Sequence, residues 1–144
     1  MRVSIAIVAF FLGLSSVPGR ADPAAPHLYN EDLWAFTPVE FLDYLKTTKP
    51  PAWGVYTIVE PLKGWVRKEH IPALIALLDS QQRCIPVVHA KSSFLPDTST
   101  VGREAATMIT GYRDGEYPSA LHAEHTRVKR KEELRAWWEQ ESLR

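Results

Sequence analysis

The chain has 144 residues, with 17 basic and 17 acidic side chains and a formal net charge of zero. That balance excludes a nucleic-acid binder by charge, because phosphate recognition needs a concentrated basic footprint. The length suits one domain of ordinary size, large enough to bury a core without covalent staples.

The first residues, MRVSIAIVAFFLGLSSVPGRADPAAP, place Arg2 ahead of an apolar run from Val3 to Leu14, followed by small residues and a proline. This is the layout of a secretory signal, whose hydrophobic stretch is too short to span a bilayer comfortably. Residues 1–21 are predicted to be a signal peptide cut after Ala21, so the mature chain begins at Asp22 in the periplasm or outside the cell. No stable membrane span then remains. Taking Arg2 and Arg20 from the 17 basic residues leaves 15 against 17 acidic ones, a net charge of −2.

Residues 22–36, rich in proline and small side chains at their start, read as an extended lead-in to a single helical domain over residues 37–144. The first helix start is TPVEFLDYLK. Thr37 caps, Pro38 suits the first helical position, and Glu40 completes a capping box, with Phe41, Tyr44 and Leu45 as the buried stripe. The stretch from Val55 to Val59 reads as helical or irregular. Its β-branched residues make a strand the alternative, in a minor two-stranded element with CIPVVHA, the only other candidate strand. The strongest helical pattern is RKEHIPALIALLDS, where Ile71, Leu74, Ile75 and Leu78 fill one face. CIPVVHAKSSFL then reads as a second packed helix after a polar turn. Ala105, Met108, Ile109 and Tyr112 repeat the template until Gly115, and Gly102 marks a tight helix contact. In KRKEELRAWWEQ, Leu134, Trp137 and Trp138 fasten the last helix to the core.

The predicted fold is therefore all-α, a compact domain of four to five helices. The succession IPALIALLDSQQR, CIPVVHAKSSFL and STVGREAATMI resembles HEAT-like helical repeats over residues 65–113. Pro86 and the long connection from Leu95 to Val101 depart from that family's pattern. The resemblance implies a partner-binding scaffold rather than an enzyme.

No complete catalytic motif appears in the sequence. Cys84 is the single cysteine, so it has no internal disulfide partner, and its place in an apolar run predicts burial. A thiol nucleophile would need Cys84 with His89 or His70 as base and Asp79 or Glu69 as orienter, but no sequence spacing joins them. Lys91, Ser92 and Ser93 lack the spacing of serine nucleophile motifs. His122, Glu124 and His125 form the one candidate metal set, the basis of the alternative reading as a metal-binding protein or metal-dependent hydrolase. The basic run Arg127, Lys129, Arg130 and Lys131 is followed at once by Glu132 and Glu133, the pattern of a solvated helix. Aromatic residues beside cations are the composition of binding hot spots, and Trp53, Tyr56, Trp65 and Arg67 are the candidate partner-binding set. The expectation is a non-catalytic exported protein without a cofactor, which binds another envelope or extracellular protein as a scaffold, adaptor or inhibitor.

Overall fold

A computed structural model describes residues 27–28, 30–92, 95–119 and 128–144. Residues 1–21, read from the sequence as a signal peptide, and the set His122, Glu124 and His125 lie outside the described residues. Strand β1 (His27–Leu28) is followed by helices α1 (Asn30–Trp34) and α2 (Pro38–Thr47), strand β2 (Tyr56–Ile58), a 3₁₀ turn (Lys68–His70) and α3 (Ile71–Leu77). Strands β3 (Arg83–Cys84), β4 (Val87–His89) and β5 (Ser99–Thr100) lead into α4 (Val101–Asp114), and α5 (Val128–Glu141) comes last. No helix among the described residues is long and apolar enough to cross a membrane.

The helix ends form as their local chemistry dictates. Thr37 Oγ1 accepts from the Glu40 N–H, and Glu40 accepts in return from the Thr37 N–H at 2.8 Å, with Pro38 in the first turn. Thr100 caps α4 by accepting from the Arg103 N–H, and Gly115 ends the helix in the left-handed region at φ 85°. Phe41, Tyr44 and Leu45 of α2, and Ala105, Met108 and Ile109 of α4, face inward as their spacing predicts. In α3, Ile71 and Leu74 are buried, Leu78 follows them at its end, and Ile75 is partly covered. Leu134 of α5 is buried, with Trp137 and Trp138 packed at the edge of the same core. Arg135 of α5 pairs with Asp79 at 2.6 Å.

The fold is helix-rich but mixed α/β, which corrects the all-α expectation. β1, β2 and β4 form a three-stranded sheet in the order β1-β2-β4, with both pairs parallel. β3 and β5 form a separate antiparallel pair. The segment CIPVVHA is thus strand, not a second helix. Ile85, Pro86, Val87, Val88 and His89 are buried in succession, so the run has neither a helical stripe nor the alternation of a half-exposed strand. Val55 to Val59 follows its alternative reading, with Tyr56 opposite Val87 and Ile58 opposite His89. The region read as an extended lead-in holds β1 and α1, and Leu33 of α1 is fully buried. Parallel neighbours need crossovers. Here α1 and α2 connect β1 to β2, while the 3₁₀ turn and α3 lie between β2 and β4.

Helices α2, α3 and α4 pack against one another, and α5 lies on α3 and α4. The start of α4 meets the end of α3 at Gly102, whose N–H donates to Ser80 O at 3.1 Å. A Cβ there would lie 2.3 Å from Leu78 O and 2.8 Å from Ser80 O, so the tight contact expected at Gly102 is formed by backbone against backbone.

Candidate functional site

The structure divides the four predicted partner-binding residues. Trp53 is 67% exposed and Arg67 lies on the surface, where its guanidinium pairs with Glu69 at 3.4 Å. Tyr56 and Trp65 are buried, so neither offers its ring to a partner. The Tyr56 hydroxyl meets that of Tyr44 at 3.1 Å inside the core. Trp65 Nε1 donates to both Leu33 O and Phe36 O at 3.0 Å, and its ring packs edge-on against Phe41. Large aromatics with a hydrogen-bonding handle are as well suited to a core as to an interface, and here the core takes both.

The histidines act locally. His70 Nδ1 accepts from the Arg67 N–H at 3.1 Å, and the buried His89 accepts through Nδ1 from the Lys91 N–H at 2.9 Å. His89 Nδ1 is thereby occupied by the backbone. No group of three metal-ligating side chains occurs among the described residues.

A surface cleft of about 170 Å³ forms where the chain leaves α1. Trp34, Phe36 and Thr37 line it with Glu40 of α2, while Trp65, Arg67 and His70 close the other side. Trp34 is 49% exposed. The Glu40 carboxyl is held below its ordinary value by the Thr37 N–H and hydroxyl. Small-molecule sites typically enclose about 300–1,000 Å³. This cleft instead has room for a single inserted side chain, with an aromatic rim, a cation and an imidazole around it. Sequence reading found Arg67 but missed Trp34 and Glu40 as part of the same feature. The signal available was Trp34 three residues before the capping box at Thr37, in the segment whose carbonyls at Leu33 and Phe36 are held by Trp65.

A second feature is a buried polar cluster around Glu104, in the first turn of α4. Ser99 Oγ lies 2.5 Å from Glu104 Oε1, and the Val87 N–H also donates to this carboxylate. Ser99 hydrogen-bonds to Cys84 as well, linking β3, β5 and α4. Glu104 Oε2 and the Tyr117 hydroxyl are buried without a hydrogen-bond partner among the described residues. Burial pushes the Glu104 carboxyl up to about 7, against the opposing pull of Ser99, Arg103 and Val87. Cys84 is half-buried beside a cleft of about 290 Å³. Its thiol is pushed up to about 12, by burial first and by Glu104 second. Tyr117 is raised by burial, then by Glu104 and Cys84. This environment keeps the thiol protonated at neutral pH and opposes its use as a nucleophile.

The folded protein therefore holds the Glu104 proton more tightly than the unfolded chain does. Its contribution to stability is full below pH 4.5 and is lost as pH rises through about 7, a span worth on the order of 3 kcal/mol. The neutral isostere removes this dependence. In denaturant titrations, Glu104→Gln is expected to gain stability relative to the unsubstituted protein between pH 5 and pH 8. A difference that stays the same at both pH values would contradict the assignment.

No family model matches the chain, nor does any curated protein or solved structure.

Proposed function

We propose that this is an exported protein that acts by binding another protein in the envelope or outside the cell. The observation that carries the reading is the cleft at the end of α1, where half-exposed Trp34 and Arg67 border a space the size of one side chain. Tryptophan and arginine are the residue types that dominate binding energy at interfaces, and they do so when set around a pocket. The resemblance to HEAT-like repeats over residues 65–113 also favours a binding role, although CIPVVHA, the second helix of the expected pair, is strand, so the likeness is one of packing style in α3 and α4 alone. Trp53 provides a second exposed aromatic, next to Gly54, which lines the other cleft.

The test is capture from the native envelope fraction with the mature protein as bait, followed by affinity measurement on the purified partner. Trp34→Ala and Arg67→Ala are each expected to weaken that affinity by about 30-fold, the effect of removing a hot spot of about 2 kcal/mol. Retention of full affinity in both variants would remove the cleft from the interface. Stoichiometric zinc in the purified protein, lost in His125→Ala, would move the reading to the metal alternative.

A further inference from the structure

We propose that Glu104 is a proton-controlled latch on the β3–β5 sheet, which holds the sheet closed while neutral and favours its local opening when ionised. The inference is independent of the partner-binding reading and rests on how the carboxyl is placed. Glu104 of α4 is 3% exposed, its Oε1 accepts from the Ser99 hydroxyl of β5, and the Val87 N–H of β4 also stabilises the carboxylate, so the side chain joins three elements. Among the described residues neither Oε2 nor the nearby Tyr117 hydroxyl has a hydrogen-bond partner. An ionised carboxylate in this position bears its charge in a buried, low-dielectric site, where no donor among the described residues offsets it at Oε2. The charged and titratable groups that face the cluster are Cys84 from β3, Arg103 from α4, Tyr117 beyond the end of α4, and Lys46 of α2, which reaches Cys84. Arg103 favours the ionised form, but burial outweighs it.

The least costly relief is local. β3 and β5 pair over two residues each, Arg83 with Thr100 and Cys84 with Ser99. Detaching that pair lets water reach Oε2 while leaving the α2–α3–α4 core packed. It also uncovers Cys84, which already borders an open cleft and is hydrogen-bonded to Ser99. The thiol is thus a built-in reporter of the latch.

The experiment measures alkylation of Cys84 by iodoacetamide between pH 6 and pH 8 in the full chain and in Glu104→Gln. Taking the ratio of the two rates cancels the ordinary rise in thiolate fraction. The ratio is expected to climb about tenfold across this range, as the opening equilibrium gains from Glu104 ionisation. A flat or falling ratio would overturn the latch, because the Glu104 charge alone disfavours the thiolate. Amide exchange in the unsubstituted protein gives a test that does not depend on the variant folding. Protection at Cys84 and Ser99, the hydrogen-bonded pair of this ladder, corrected for intrinsic rates, is expected to fall over the same range while that of Met108 and Ile109 does not. Equal loss at both places would mean global unfolding and would also overturn the proposal.

Discussion

Gly102→Ala is expected to lower the melting temperature by roughly 10 °C or more, a loss of about 3 kcal/mol. The added Cβ would meet the Leu78 carbonyl oxygen at 2.3 Å and the Ser80 oxygen at 2.8 Å. Both obstacles are backbone, so no side chain can swing aside. Either α4 retreats from α3, breaking the Gly102 N–H bond to Ser80 O and the Val101 N–H bond to Gln82 O, or the end of α3 distorts. Each route disturbs the packing of the central helices. Thermal unfolding followed by circular dichroism checks this directly, and a melting temperature within 2 °C of the unsubstituted protein would mean that the two helices do not approach this closely.

Trp65→Ala is expected to cost about 3–5 kcal/mol, the usual range for emptying a large aromatic site in a core. Marginal stability for a domain is about 5–15 kcal/mol, so the variant is brought close to unfolding. Trp65 does more than fill space. Its indole N–H is the donor to two carbonyls, Leu33 O and Phe36 O, and so ties α1 and the following turn to the rest of the protein. Trp65→Phe keeps most of the ring and loses the donor, and is expected to cost only about 1–2 kcal/mol. Urea titration of the two variants separates packing from hydrogen bonding. Equal losses would show that the indole N–H, rather than the ring volume, carries the effect. Because the buried Trp65 holds the end of α1 that carries Trp34 and Phe36 to the cleft, both variants are expected to weaken partner binding as well.

The helices were legible because their signals are local. Thr37, Pro38 and Glu40 specify a helix start within four residues, Gly115 specifies an end, and a spacing of three and four marks the inward faces of α2, α3 and α4. The small sheets were not legible for a physical reason. In CIPVVHA every position from Ile85 to His89 is buried, so burial on both sides erases the pattern that distinguishes strand from helix. Tyr56 and Ile58 do alternate inward around Thr57, but their partner lies some thirty residues further on, beyond any local signal.

The site was harder still to read. Trp53, Tyr56, Trp65 and Arg67 share the composition of an interface, yet aromatic residues near a cation describe a core edge equally well, and only tertiary burial separated Trp53 and Arg67 from the other two. Glu104 carried no warning at all. An acidic residue in the first turn of a helix is favourable for the helix dipole, and nothing along the chain reveals that β4 and β5 fold over it.

The parallel sheet also dictates an order of assembly. His27 lies opposite Thr57, and Thr57 opposite Val88, so each strand pairing closes a loop of about thirty residues for a ladder only two or three residues long. Such a ladder returns too little to offset the closure entropy by itself. The helices within those loops must collapse first and bring the strand ends within reach, which makes the parallel sheet a late product of folding.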